Sequence, residues 1–450
     1  MKNFLVEFQC QQCGAPVTIE ETDRLFSCKY CRVRLFITPK DYYRYCLPFK
    51  SHPVEDIIFI PYWRFRGMSF LVKSSDIQNR VIDTSFLATD HAFMPLSLGI
   101  RSQTLKLSFA DPRTKATFLG PRISFQDAIE RFGVSIHETE RAISSGNFFD
   151  HNFIKDAESK FGVPIQDAVS RFKTPKGKIE NAVSSNRFFL RTFIGDTVSI
   201  IYFPIYMKGS AVFDAILNRP IAKLDVRDVD YLLTPDKQRN WKIDFIPAQC
   251  PDCGWDLTGE KQSISLLCTN CDTAWQVHKG KFKKLSYSAV PSKDKKVIFL
   301  PFWRMNVQMS GLNLNSYADL VRFANLPRAI KKEWEKIGIF FWAPAFKLQP
   351  RMFLRLAKQM TILQPYEEFK EEVPTSALHP VSLDSNDAFE SIMITLAHMT
   401  KKKNRIFPLL PHVKMSLKNA RLVYFPFTLQ GTDFIQTQMQ FSIQRNALRT

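Results

Sequence analysis

Apolar and polar residues alternate at the start of the chain, with Phe4, Val6 and Phe8 on one side of the pattern. The same period returns in short bursts at Val17 and Ile19, at Leu25 and Phe26, and at Val33, Leu35 and Phe36. A period of two predicts short, half-buried strands. Longer runs follow, and they share a signature of aromatic residues around a proline. Ile60-Pro61-Tyr62-Trp63-Arg64 leads into a strand-like stretch, Phe65 to Val72, and Leu300-Pro301-Phe302-Trp303-Arg304 leads into another, Met305 to Leu314. Tyr202-Phe203-Pro204-Ile205-Tyr206 precedes Gly209 and a strand over Ala211 to Leu217. Tyr424-Phe425-Pro426-Phe427 precedes Gly431 and a strand over Phe434 to Ile443. Proline has no ladder donor and belongs at a strand start or edge, whereas aromatic and β-branched neighbours suit a pleated surface. These segments predict four hairpin-starting strands, two per half, that pair within or between halves into a β core.

Helical spacing is confined to other regions. Phe125, Ala128, Ile129 and Phe132 fall on one face of a helix. Gln126-Asp127-Ala128-Ile129-Glu130-Arg131-Phe132 recurs forty residues on as Gln166-Asp167-Ala168-Val169-Ser170-Arg171-Phe172, which predicts a duplicated helical unit of about forty residues over 123–196. In the second half Tyr317 to Ile337 is amphipathic and is broken or kinked at Pro327. Arg351 to Leu363 and Asp387 to Met399 follow, the latter capped by Asp384 or Ser385 and ending in Lys401-Lys402-Lys403-Asn404-Arg405.

Cysteine spacing changes the picture. Cys10, Cys13, Cys28 and Cys31 form two C-x-x-C pairs, and Cys250, Cys253, Cys268 and Cys271 repeat their spacing 240 positions downstream. Paired C-x-x-C units read as metal ligands, and four thiolates close a tetrahedral site with no open position, which is a structural role. Gly14 and Gly254 follow the first pair of each quartet and allow the left-handed turn of a knuckle. After the second pair stand Arg32 and Asp272; Arg32 departs from the usual glycine. The ninth cysteine, Cys46, sits among Tyr42, Tyr43 and Tyr45 and reads as a packed thiol.

Both quartets resemble zinc-ribbon, or rubredoxin-like, domains, and Cys250-Pro251-Asp252-Cys253-Gly254 matches that family's knuckle closely. The resemblance covers about sixty residues, implies two Zn²⁺ ions per chain and carries over only the eight ligands. Rubredoxins hold iron in the same ligand set, so spacing does not choose between zinc and iron. The shared order of ribbon, aromatic-proline strand, proline-broken strand, helix and aromatic-proline strand predicts two pseudo-repeated halves. Phe93-Met94-Pro95 is matched here with Trp342-Ala343-Pro344, and Gly120-Pro121-Arg122-Ile123 with His379-Pro380-Val381. The expected fold class is α+β, each half a small four-cysteine zinc ribbon followed by a strand-rich domain with packed helices. The expected domains are a ribbon over 1–40, an α+β domain over 41–240, a second ribbon over 241–285 and a second α+β domain over 286–450.

Composition narrows the functional classes. The 450 residues, 45% hydrophobic and 23% charged, describe a globular chain with room for sizeable cores. The first quartet begins too early to leave space for a signal-peptide apolar core, and no apolar run approaches the ~20 residues that span a bilayer. With reduced cysteines, this gives an expectation of a cytoplasmic protein. The formal net charge of +19 favours a polyanion as one partner class. The second half carries the candidate contacts, Lys279, Lys281, Lys283 and Lys284, then Lys293, Lys295 and Lys296, then Lys401, Lys402, Lys403 and Arg405. Taken singly, each tract reads as a solvated loop or helix end ahead of a phosphate contact. Trp275 and Phe282 offer either a base-stacking platform or ribbon core. An anionic membrane surface is the weaker polyanion, since no strongly amphipathic basic helix accompanies the lysines.

The sequence has no phosphate-binding Gly-rich loop, H-E-x-x-H or G-x-S-x-G motif, and its eight histidines are scattered. No residue is nominated as catalytic. The expected function is that of a non-catalytic zinc-binding adaptor or scaffold, joined to another protein through ribbon and aromatic-rich β surfaces. Nucleic-acid binding through the second-half lysines is the alternative, and an accessory subunit of an enzyme complex is a third reading.

Overall fold

The computed structural model describes residues 4–49, 57–73, 76–91, 93–99, 105–129, 188–225, 241–294, 296–365, 368–436 and 438–448. Two long antiparallel pairings form its frame. Ile58–Lys73 pairs with Phe188–Lys208, and Val297–Ser310 pairs with Lys414–Gln430. All four aromatic-proline segments thus lie in long strands that pair within their own half. The first pair belongs to a sheet of ten described strands, the second to a sheet of seven.

The register of the two pairs coincides. Pro61 faces Tyr202 as Pro301 faces Tyr424, and Phe59 faces Pro204 as Phe299 faces Pro426. Short parallel strands flank both at matching places: Tyr43–Cys46 and Thr117–Phe118 in the first half, Tyr287–Ala289 and Ala377–Leu378 in the second. The same backbone bonds close each frame. Ala88 N donates to Pro61 O at 3.0 Å and Ala345 N to Pro301 O at 3.0 Å; Leu47 N donates to Tyr202 O and Val290 N to Tyr424 O. Trp63 Nε1 donates to Ile123 O at 2.8 Å, and Trp303 Nε1 to Leu383 O at 2.9 Å.

Pro61 and Pro301 are interior to their strands, not at the start. Each marks the point where the flanking partner changes. Phe59 pairs with Phe118 in parallel and Tyr62 with Leu87 in antiparallel; Phe299 pairs with Leu378 and Phe302 with Pro344 in the same way. A residue at such a junction has no partner acceptor for its N–H, so a missing donor costs nothing there.

Several expected elements move. The places corresponding to Trp342-Ala343-Pro344 are Ser85-Phe86-Leu87, because Trp63 faces Phe86 and Trp303 faces Ala343; Phe93-Met94-Pro95 lies beyond that strand. Ile123 corresponds to Leu383 through the tryptophan bonds, which shifts the proline-based match of 120–123 by one residue. Residues 125–129 are helical, 188–196 belong to the strand Phe188–Lys208, and the rest of the expected helical duplication lies outside the described residues. The strand expected over Phe434 to Ile443 is a hairpin of Asp433–Gln436 with Phe441–Gln444, and the one over Ala211 to Leu217 ends at Asp214.

Three helices of eight residues or more are described: α1, Tyr317–Ala324; α2, Pro350–Leu363; and α3, Ser385–Met399. Helix α1 is shorter than its apolar pattern. Asn325 takes the left-handed conformation as C-cap, two residues before Pro327, and only a 3₁₀ turn at Lys332–Glu335 follows. Asp384 is the N-cap of α3, its carboxylate accepting from Asn386 N and Asp387 N. In the first half Ser124 Oγ accepts from Asp127 N at the matching start. The lysines after α3 are not its last turn: Thr400 caps it, and Lys403–Ile406 forms a separate helical turn.

The largest core spans both halves. Met68, Phe70, Val72 and Ile194, from the far end of the first frame, join a cluster with Trp303, Leu354, Ile392 and Phe425. Helices α2 and α3 therefore pack against strands of the first half as well as their own sheet.

Candidate metal centres

The two quartets form two matching clusters. Within each, the four sulfurs lie within 4.8 Å of one another, so both can hold a metal ion. Cys10 Sγ is 3.8 Å from Cys31 Sγ and Cys13 Sγ 3.7 Å from Cys28 Sγ. In the second cluster the corresponding separations are 3.6 Å and 3.5 Å. All nine cysteines are free. A tetrahedral ion with metal–sulfur bonds of ~2.3 Å sets sulfur–sulfur edges of about 3.8 Å, whereas a disulfide needs ~2.05 Å. The spacing fits a metal and not a cystine.

Short-range backbone bonds build the clusters. Gly14 N donates to Cys10 O at 2.8 Å, Arg32 N to Cys28 O at 2.9 Å, and Gly254 N to Cys250 O at 2.8 Å. The residues closing the four knuckles all have positive φ: 72° at Gly14, 61° at Arg32, 73° at Gly254 and 50° at Asp272. Arg32 therefore adopts the same left-handed turn as the glycines, despite its side chain. Such a conformation costs a non-glycine residue roughly 1 kcal/mol.

Charge crowding points the same way. The backbone N–H groups of Cys31 and Tyr30 draw the Cys28 thiol down to about 6. Cys31 is pushed up to about 12: the N–H of Val33 favours its thiolate, but burial and the sulfurs of Cys13, Cys28 and Cys10 outweigh it. The second cluster is divided too, but at a different cysteine: Cys268, the counterpart of Cys28, is raised by burial, and Cys250 is lowered. Burial of Cys250 is overcome by the N–H groups of Cys253 and Asp252 and by the Thr273 hydroxyl, which bring it to about 6. The Thr273 hydroxyl also favours the Cys271 thiolate, yet burial and its three neighbouring sulfurs push that thiol up to about 12. Ionising one thiol raises the cost of the next, and a bound cation removes that cost.

Sequence reasoning missed Thr273. Its hydroxyl lies 3.1 Å from Cys271 Sγ and accepts from Trp275 Nε1 at 2.9 Å. The corresponding residue of the first cluster is Val33, which offers no hydroxyl. A hydroxyl two residues after the last ligand was the available signal.

The clusters are not separate beads. Ile243–Pro247, which leads into the second quartet, pairs with Arg34–Pro39, which leaves the first. Lys261 O accepts from Arg24 N at 2.7 Å and from Leu25 N at 2.9 Å. One core contains Leu25 and Phe36 of the first module with Cys250, Leu257, Leu266, Cys268 and Trp275 of the second. The first module is also tied to the ten-stranded sheet, where Leu5–Gln9 pairs with Lys106–Phe109.

The candidate polyanion contacts occupy different elements. Lys279 is at the turn between Thr273–His278 and Lys281–Leu285, and Lys281, Lys283 and Lys284 are exposed on the latter strand. Lys284 Nζ pairs with Asp252 at 3.1 Å. Trp275 is buried and Phe282 packs on Phe36, 5.9 Å between centroids, so these two rings are core and not a stacking platform. Lys401 and Lys402 are exposed and Lys403 half-buried; Lys402 and Arg405 line a cleft of about 420 Å³ together with Arg322 and Asp319, which pair with each other at 3.1 Å. Cys46 is buried, and burial alone raises its thiol well above the ordinary range. Among the described residues no helix is long and apolar enough to cross a membrane. Comparison with protein-family models, with curated proteins and with solved structures gives no match to the chain.

Proposed function

We propose that the protein is a non-catalytic adaptor in which two structural zinc ribbons order two related halves. The observation that carries this reading is the bonding of the two four-cysteine modules to each other and to the strand frames. A metal with four protein thiolates has no position left for a substrate. Here each cluster also sits at a junction: Ile243–Pro247 joins the modules, and Val373 N donates to Asp272 Oδ1 at 2.9 Å beside the second knuckle. The ions thus serve to fix the relation of parts, which is what a scaffold requires. The matching registers, the paired tryptophan bonds and the shared cysteine spacing support descent of the halves from one duplicated unit.

Metal analysis tests the foundation, with two zinc ions expected per chain. Affinity capture from native lysate, with and without nuclease, tests the role: a protein partner that persists after nuclease supports it. A turnover abolished by replacing one buried acid or histidine would refute it. The cleft beside Lys402 and Arg405 favours nucleic acid as the second reading. That reading predicts steep salt dependence whose slope falls when Lys401, Lys402 and Lys403 are neutralised; a flat response removes it.

A further inference from the structure

Arg64 and Arg304 hold the same place in the two frames. Arg64 faces Ser199 across one strand pair and Ser85 across the other; Arg304 faces Arg421 and Trp342. Their surroundings differ in charge. Arg64 is fully buried with two carboxylates, Glu21 at 3.0 Å and Asp83. The register puts Phe340 where Asp83 stands, and the quartet spacing puts Lys261 where Glu21 stands. Lys261 is also engaged elsewhere, since its carbonyl binds the first module.

Arg304 is left with aromatic neighbours. Its guanidinium lies 3.6 Å from the centroid of Phe340, 5.6 Å from Phe369 and 5.9 Å from Trp342. Its buried Nε has no hydrogen-bond partner, and among the described residues no carboxylate pairs with it. The cation across the strand, Arg421, is 36% exposed; it pairs with Glu371, itself 68% exposed, and its Nε donates to Ser286 Oγ at 3.0 Å. Burial, and then the Arg421 charge, press the Arg304 guanidinium below its ordinary pKa. Among the described residues the one carboxylate paired at this place, Glu371, is on Arg421, which leaves Arg304 an uncompensated cation in a half-buried aromatic setting. Rings on its flank orient such a guanidinium, and a carboxylate accepts from it in bidentate fashion.

We infer that Arg304 and Arg421, walled by Phe340 and Phe369, form a docking site for a carboxylate side chain on an acidic segment of a partner protein. This rests on the adaptor reading and names the surface it uses. Arginine beside tryptophan and other rings is also the composition of interface hot spots.

The test uses the full-length, zinc-loaded protein and a rhodamine-labelled hexaglutamate peptide followed by fluorescence anisotropy. Arg304→Gln is expected to weaken binding at least tenfold, while Lys402→Ala with Arg405→Ala changes it less than twofold. Equal binding by wild type and Arg304→Gln, or loss confined to the Lys402/Arg405 variant, overturns the site. Should Arg304→Gln fail to retain two metals, phenylglyoxal labelling of the wild type decides: the peptide must slow modification at Arg304, and no protection overturns the proposal. A single-stranded oligonucleotide of equal charge that binds more tightly through Arg304 than the peptide does also overturns it. Nuclease-resistant capture that is unchanged in Arg304→Gln defeats this site but leaves the adaptor reading standing. If wild type shows no such capture, the adaptor reading fails independently of the peptide result.

Discussion

Arg64 and Arg304 show how much one residue's environment decides. Glu21 is fully buried against Arg64, so truncating the arginine strands a charge out of water. Arg64→Ala is expected to destabilise the protein by about 3–5 kcal/mol, read as a fall in the denaturant midpoint. Arg304→Ala removes cation–ring contacts worth about 1–2 kcal/mol and strands no carboxylate. An Arg64→Ala loss no larger than that of Arg304→Ala would refute the account. His379 supplies a pH term. Burial lowers its pKa to about 4, and its ring packs on Phe346 at 5.0 Å. The unfolded chain binds this proton at ~6.5, so the unfolded state holds more protons than the native state between 6.5 and 4. The contribution of the neutral ring is therefore complete above 6.5 and is lost as pH falls through that window, by about 3 kcal/mol. His379→Phe should flatten this part of the pH–stability curve. A wild-type-minus-variant difference that stays constant from pH 6.5 to 4 would exclude it.

At the level of elements, caps and prolines act where backbone donors and acceptors change partners. Asp384 accepts from two N–H groups at the start of α3, at 2.7 Å and 2.9 Å. Asp384→Ala should cost about 1 kcal/mol, measured by chemical unfolding, whereas Asp384→Asn should cost less. Equal losses for both would mean the cap is not the cause. The body of α3 was legible in the sequence from its apolar period, with Asp384 as one of two cap candidates, but its start lies two residues earlier, at Ser385, and the lysines after Thr400 lie outside it. The span from Tyr317 to Ile337 was not, because its apolar period runs past Asn325, whose left-handed turn ends α1. Nor were the places of Pro61 and Pro301: an interior proline becomes acceptable only when the neighbouring strand changes at that residue, which is a property of pairing.

For the molecule as a whole, the shared module core couples the two four-cysteine clusters. Cys250 and Cys268 belong to the same cluster as Leu25 and Phe36 of the first module. Cys253→Ser, which replaces an exposed ligand, should lower the metal content from two to one per chain. It should also speed chelator removal of the remaining ion several-fold, because metal binding supplies folding free energy to such small modules. Unchanged release kinetics at the first site would show the modules to be independent. The attachments of the two modules also differ: the first adds Leu5–Gln9 to the ten-stranded sheet, while the second pairs a strand with the first module and meets its own half through Ile264 N to Val381 O and Val373 N to Asp272 Oδ1.

The sequence by itself determined the two quartets, which repeat at an offset of 240, and the presence of four aromatic-proline strands, because ligand spacing and strand patterning are local. Its register for the weaker matches slipped, at Phe93-Met94-Pro95 and at Pro121, since similar residues can be aligned without sharing a hydrogen bond. Only the tertiary structure decided which strands pair within a half, which buried acids meet Arg64, and that Phe340 takes beside Arg304 the place that Asp83 takes beside Arg64. Those outcomes depend on residues far apart in the chain, brought together by sheet register and by the packing of one module on the other. No local pattern of side chains encodes that relation.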